Sequence, residues 1–253
     1  MTMLSSPLIS RWIAQIKPNP RANLRLFCFP YAGGNAQIYR AWTENLPTAI
    51  EVCPIELPGR GARLTEPLYK QVSPLVSDIA TAIHPLLDLP FAFFGHSLGA
   101  LVAFELTRLL RRDYALVPVH LFASGRDAPQ TNAGVPRLTP VYSLPEREFL
   151  EKLRILSGTS DAVLQNAELM QLFMPVVRAD LEVSETYVYT PEAPLECPIT
   201  AFGGLQDPVT TPDELDAWRE QTSIDFALHL LPGNHFFINS AQSHLLRVIA
   251  RSL

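Results

Sequence analysis

Six short segments of this chain are apolar almost without interruption: Leu24 to Phe29, Ile50 to Leu57, Phe91 to Phe94, Val117 to Ala123, Ile199 to Phe202 and Phe226 to Leu231. A strand with one wet face would alternate. Continuous apolarity is the mark of strands covered on both faces, as in a parallel sheet. Between these runs the spacing changes to the helical period. It predicts helices over Tyr39 to Leu46, Val72 to Leu87, Leu98 to Arg112, Asp213 to Gln221 and Ala241 to Leu253. In the third of these, Leu98, Leu101, Val102, Leu106, Leu109 and Leu110 share a face, while Thr107, Arg108, Arg111 and Arg112 fall on the other side or at the end. Strands alternating with helices predict an α/β chain with a mostly parallel, doubly wound sheet. At 253 residues it suits a single domain over 1–253.

The alternation breaks once, over about 136–185, where the pattern is nearly all helical. Leu144 to Leu150 opens a helix with Pro145 in its first turn. Ser160-Asp161 and Glu168 to Phe173 belong to a second helical region, Met174-Pro175 interrupts it, and Val176 to Tyr187 form a third. A helical insertion between strands of such a sheet lies over the strand ends, where ligands bind. It is therefore read as a lid. The apolar Met170, Leu172, Phe173 and Met174 suit a wall for an acyl or lipid-like group.

Chemistry enters at Gly95-His96-Ser97-Leu98-Gly99. This G-x-S-x-G run falls where a strand ends and a helix begins. There a tight turn presents the serine hydroxyl above the sheet. The N–H of Leu98, at a helix N-terminus, is placed to stabilise an oxyanion. A serine needs a base, and the base an orienting partner. Asp207 follows the run Ile199 to Phe202, and His235 follows Phe226 to Leu231, which completes the order Ser, Asp, His. Asp213 rivals Asp207 but better suits the start of the next helix, after Thr211-Pro212. His96 lies inside the turn pointing away from Ser97. His84 and His244 fall on helical runs, and His120 and His229 within strands. The loop Phe29 to Asn35, with Gly33-Gly34, offers a second oxyanion donor from Tyr31 or Ala32.

Bulk properties narrow the classes. A net charge of -5 argues against a nucleic-acid partner. The three cysteines, Cys28, Cys53 and Cys197, form no C-x-x-C pair, so neither a zinc site nor a disulfide framework is indicated. Cys28 and Cys53 read as small core residues in a reducing compartment. With no signal-like N-terminus and no run long enough to span a bilayer, the expectation is a cytoplasmic protein with no membrane partner.

The chain resembles the stand-alone type II thioesterases of polyketide and non-ribosomal peptide assembly lines, over nearly its whole length. The resemblance rests on Phe29-Pro30-Tyr31-Ala32-Gly33-Gly34, Glu56-Leu57-Pro58-Gly59-Arg60-Gly61-Ala62-Arg63, Gly95 to Ala100 and Ser124-Gly125-Arg126-Asp127-Ala128-Pro129. Leu169 to Tyr187, Gly203-Gly204 to Asp207, and His235-Phe236-Phe237 complete it. It implies an α/β-hydrolase fold with a mobile helical lid. It also implies hydrolysis of acyl groups from the phosphopantetheine arm of an acyl or peptidyl carrier protein, in an editing role. By position, Ser97 is then the nucleophile, His235 the base and Asp207 its partner, with Ala32 and Leu98 as oxyanion donors. No metal or redox cofactor is implied, and a monomer is expected. Leu98 stands where the family often has methionine, and Asn234 where it often has glycine. Asn234 is read as tolerating unusual backbone angles. Arg60, Arg63 and Arg126 are candidates to meet the phosphate or an acidic carrier domain. Alternative functions with the same triad are a small-molecule carboxylesterase and an off-loading thioesterase or acyltransferase that releases a finished chain.

Overall fold

In the computed structural model, which describes residues 11–14, 19–131, 139–156 and 166–253, the six apolar runs form one sheet in the order β2-β1-β3-β4-β5-β6. The strands are β1 Leu24–Phe29, β2 Ile50–Pro54, β3 Phe91–His96, β4 His120–Ser124, β5 Ile199–Gly204 and β6 Phe226–Leu231. All their pairings are parallel. The continuous apolarity has a direct cause. Phe27, Phe29 and Phe93 point into one core layer with Ile79, Leu106 and Trp218. Their neighbours Leu26, Cys28 and Phe94 point into the other, with Trp42, Phe237 and Ile249. Cys28, Cys53 and Cys197 are buried, unpaired thiols.

Strand ends differ from the pattern where proline or a crossing segment intervenes. Pro118 has no N–H to donate, so pairing in β4 begins at His120 rather than Val117. β2 stops at Pro54, and Ile55 forms an isolated antiparallel bridge to Ile13. The helices are α1 Trp42–Asn45, α2 Val72–Ile83, α3 Leu98–Tyr114, α4 Glu146–Leu156, α5 Ala167–Glu185, α6 Pro212–Asp216, α7 Phe237–Ser240 and α8 Gln242–Ser252. The expected helix over 39–46 is a short 3-10 turn, Ala36–Tyr39, followed by the single turn of α1.

Two expectations fail for physical reasons. Thr107 and Arg108 are buried, not on a solvent face. The chain at Tyr187 to Pro194 crosses that side of α3. There Arg108 pairs with Glu105 and Glu192 and lies over the rings of Phe104 and Tyr189. Met174-Pro175 does not end a helix either. α5 runs through Pro175, whose ring faces solvent while Val176, Val177, Ala179 and Asp180 are buried. Tertiary packing on both sides of the proline outweighs the lost backbone bond.

α4 and α5 come from the insertion between β4 and β5; Ser160 and Asp161 lie outside the described residues. Phe149 and Leu153 of α4 pack on Val177, and the Arg178 guanidinium sits 4.0 Å over the Phe149 ring. α5 lies on the loops that follow β1 and β2. A Cβ added at Gly33 would meet Val177 at 2.7 Å, and one at Gly59 would come 3.3 Å from Val176. The insertion thus sits at the carboxyl ends of the strands, beside the point where the strand order reverses.

Candidate active site

β3 runs into α3 through a single residue in an unusual conformation. Ser97 has φ 54° and ψ −112°; among the described residues, apart from glycine, only Ala115 also has a positive φ. The turn is tight on every side. A Cβ at Gly95 would lie 2.1 Å from the Gly99 carbonyl oxygen, and one at Gly99 would lie 2.1 Å from that of Phe29. Neither position admits a side chain. The Ser97 N–H donates to the Ser124 carbonyl at 2.7 Å, which ties the turn to β4. Holding a serine in this region costs about 1–3 kcal/mol and persists only where the surroundings impose it.

Asp207 and His235 stand on the turns after β5 and β6. His235 Nδ1 is 2.8 Å from Asp207 Oδ2. Asp207 also accepts from the Val209 N–H and the Thr210 hydroxyl. Burial pushes its carboxyl up, but the hydrogen bond and charge of His235 and those other donors hold it below its ordinary value. Asp213 stays exposed in the first turn of α6, inside a capping box closed by Thr211 and Glu214. With Nδ1 engaged, His235 has Nε2 available. Among the described residues no hydrogen bond joins it to Ser97 Oγ; such contacts often tighten only when substrate binds.

A histidine set aside above as a candidate base helps set this geometry. His96 is fully buried, with Nε2 2.9 Å from the His235 carbonyl and Nδ1 2.8 Å from Ser124 Oγ. Burial, then the nearby His235, push its pKa down to about 3, so it is a neutral bracket between β4 and the His235 loop. The available signal was a histidine next to the serine of the motif, with a serine at the end of the next strand. The unusual backbone near His235 belongs to Gly233, at φ 124°, not to Asn234. Asn234 instead accepts from the Phe236 N–H through its side chain and from the Phe237 N–H through its carbonyl.

On the opposite side, the Phe29–Asn35 loop touches the turn through the Phe29 and Pro30 carbonyls. The N–H groups of Tyr31, Ala32 and Leu98 have no acceptor among the described residues, whereas the Gly33 N–H donates to Asp180 and that of Gly34 to the Tyr31 carbonyl. The Tyr31 ring packs edge-on against His96 and Phe236. A cavity of about 300 Å³ adjoins this loop, lined by Gly33, Gly59, Leu64, Leu169, Leu172 and Phe173, among others. Of the apolar residues read as a wall, Leu172 and Phe173 line it, while Met170 is buried and Met174 joins the α4–α5 core.

Arg60 and Arg63 do not await a phosphate. Arg60 is buried against Asp180, and Arg63 is buried between the Glu56 carbonyl, Glu66 and the Trp12 ring. Arg126 donates to Ser184 Oγ at 2.6 Å. Among the described residues no cluster of acidic, histidine or cysteine side chains is arranged to hold a metal ion, and no helix is long and apolar enough to cross a membrane.

Comparison with known proteins matches the thioesterase domain family over residues 24–253. The chain is 46% identical to linear gramicidin dehydrogenase LgrE of Brevibacillus parabrevis, over 96% of this chain and 93% of that protein. The solved thioesterase RedJ, from the prodiginine pathway of Streptomyces coelicolor, superposes with a TM-score of 0.86 at 39% identity, over 96% of this chain and 99% of RedJ. The type II thioesterase BorB, from the borrelidin cluster, gives 0.85 at 34% identity, over 95% of this chain and 97% of BorB. A doubly wound parallel sheet, a serine at its elbow and a family match across nine-tenths of the sequence agree: the chain belongs to the thioesterase family, as an α/β-hydrolase that acts on thioesters.

Proposed function

We propose that this protein removes acyl groups from the phosphopantetheine arm of carrier proteins, in an editing role, with Ser97 as nucleophile, His235 as base and Asp207 as its partner. The observation that carries the reading is the 2.8 Å bond from His235 Nδ1 to Asp207, on loops next to a serine held at positive φ at the start of α3. The carrier-protein substrate and the editing role are supported by the relatives, of which BorB is a type II thioesterase of a biosynthetic cluster.

In this reading Ser97 Oγ attacks the thioester carbonyl carbon and its proton passes to His235 Nε2. The Asp207 carboxylate, kept ionised by its donors, stabilises the imidazolium. The carbonyl oxygen becomes an oxyanion held by the Ala32 and Leu98 N–H groups, which have no other acceptor. Collapse expels the pantetheine thiolate, which takes the proton from His235. A thiol with a pKa near 8.5 leaves far more readily than an amine. Water then attacks the acyl-serine as its proton passes to His235, and collapse breaks the bond to Ser97 Oγ, which takes that proton back as the carboxylic acid leaves. The insertion acts as a lid, with the cavity against Leu169, Leu172 and Phe173 receiving the acyl chain.

The name of LgrE raises a dehydrogenase as a second reading. A dinucleotide fold of that class presents Gly-x-Gly-x-x-Gly at its first strand-to-helix turn. This chain has Pro30-Tyr31-Ala32-Gly33-Gly34-Asn35 there. The deciding experiment is hydrolysis of an acyl-phosphopantetheinyl carrier protein followed by intact mass, with Ser97→Ala as control. Loss of the acyl mass only with Ser97 present is the expected result. Cleavage of oxygen esters alone would instead identify a carboxylesterase.

A further inference from the structure

Backbone groups of two consecutive residues in the Phe29–Asn35 loop are held by an ion pair from distant parts of the chain. Arg60 Nη1 and Nη2 meet Asp180 Oδ2 and Oδ1 at 2.7 and 2.8 Å, and both side chains are buried. Asp180 Oδ2 also accepts from the Gly33 N–H at 2.7 Å, and Arg60 Nη1 also donates to the Gly34 carbonyl at 3.0 Å. Arg60 is itself steadied by its Nε donating to the Pro58 carbonyl. Asp180 lies on α5, 147 residues from Gly33, and the helix presses on the same glycine through Val177 and Phe173. The start of the loop is fixed separately, by the Tyr39 hydroxyl on the Phe29 carbonyl.

A buried ion pair is a poor source of stability, because desolvation offsets most of its attraction. This one is better explained by what it orients. Asp180 takes the Gly33 N–H out of use, whereas the N–H groups of Tyr31 and Ala32 have no acceptor among the described residues; of these, Ala32 is the one assigned above to the oxyanion. We propose that Arg60 and Asp180 are positioning residues, which fix the Ala32 N–H for the oxyanion and fasten the C-terminal half of α5 to that donor. Opening of the lid then occurs N-terminal to Asp180, while the Val177–Asp180 segment stays with the oxyanion loop. The inference rests on the assignment of Ser97 and Ala32 made above.

Two variants of the full-length enzyme test it, assayed on an acyl carrier protein beside Ser97→Ala. Asp180→Asn weakens the clamp. Arg60→Met with Asp180→Leu removes both charges and leaves no unpaired ion, but it also removes the partners of the Gly33 N–H and the Gly34 carbonyl, so its melting temperature is measured alongside. Both should lower kcat about tenfold to a hundredfold, the scale of a small misplacement of a reacting group. KM should stay within about twofold, as expected when an interaction made only in the transition state is lost. The inhibition constant of an acyl trifluoromethyl ketone, whose hemiketal oxygen needs the oxyanion donors, should rise in parallel. If the double variant recovers both stability and full kcat, the pair is only a structural tie and the inference is wrong. Full activity in Asp180→Asn overturns it also, provided Ser97→Ala is inactive. Retained turnover in Ser97→Ala would instead overturn the assignment of the site.

Discussion

The two walls of the site are built by opposite means. The wall formed by Ser97, Asp207 and His235 rests on short turns, each after a strand of the sheet, and the Ser97–Ser124 and Asp207–His235 bonds join neighbouring strands. The wall formed by Tyr31 to Gly34 is held by Arg60 from the loop after β2 and Asp180 from the insertion, 26 and 147 residues away from their glycine partners. The first wall is as rigid as the sheet. The second depends on an element that also bounds the cavity proposed above for the acyl chain. In the proposed mechanism, such an assembly keeps the nucleophile fixed by the sheet while the oxyanion loop is tied to the helix that lines the adjoining cavity.

The largest effect should come from the rigid wall. Ser97→Ala is expected to lower turnover of an acyl carrier protein by about ten-thousandfold or more, with no comparable loss of stability, since triad members act as a unit. Unaltered binding of the carrier protein together with lost hydrolysis is the outcome that would sharpen the contrast between the walls. Gly99→Ala comes next and acts on the fold. Its Cβ would stand 2.1 Å from the Phe29 carbonyl oxygen, which joins β1 to the elbow, so neither side has a flexible atom to give way. Overpacking of this kind should cost about 3 kcal/mol or more, with thermal melting as the readout. A variant that melts with the wild type would mean that the two walls are not in rigid contact at all.

The contrast also explains what the sequence made legible. The elbow, the strands and the turns bearing Asp207 and His235 are local, so apolar runs, glycines and chain order marked them. The strand errors, at Val117 and at Ile55 to Leu57, arose where proline and a bridge to Ile13 ended pairing. In one dimension Arg60 is a candidate for a phosphate or an acidic carrier domain because its guanidinium suits either; its partner stands 120 residues on. Arg108 was put on the wet side of its helix for the same reason, since nothing in α3 announces that Glu192 will cover it. His96 was seen as a bystander, and its role depends on a carbonyl 139 residues away. Long-range polar contacts leave no periodicity, so they were invisible in the pattern that found the sheet.

Acid should reveal the sheet beneath the rigid wall through two buried histidines. His96 and His120 are pushed down by burial to about 3 and about 4. Unfolded, each titrates near 6.5. The unfolded chain therefore binds protons that the folded one refuses. Their contribution is complete above about pH 6.5 and is lost as the pH falls toward the folded values, at up to about 1.4 kcal/mol per pH unit for each. His120 is far from the loops of the site, hydrogen-bonded to Thr200 and stacked on Phe122. Urea unfolding between about pH 6.5 and pH 4.5 should show a shallower slope in His120→Gln than in the wild type. Equal slopes would mean that His120 charges without unfolding the sheet.

The smallest effect tests the adaptable wall. α5 carries Pro175 at an exposed position between the cavity-lining Phe173 and the buried Val176 and Val177. Proline there leaves the Gln171 carbonyl without its helical donor and crowds the preceding turn. Replacement by alanine restores the bond and removes little packing, because the ring faces solvent. The full propensity difference is about 3 kcal/mol, but the helix has already adjusted, so a gain of about 1 kcal/mol is expected. For a chain of this size that is a rise of about 2–4 °C in melting temperature. The consequence for function separates two ideas of how the insertion moves. If the helix flexes at Pro175, stiffening it should slow product release and lower kcat at unchanged KM for the first turnover. If it moves as one rod hinged elsewhere, Pro175→Ala should melt higher and turn over like the wild type. The Asp180 clamp favours the first outcome, since it ties the helix to the Phe29–Asn35 loop just beyond the proline.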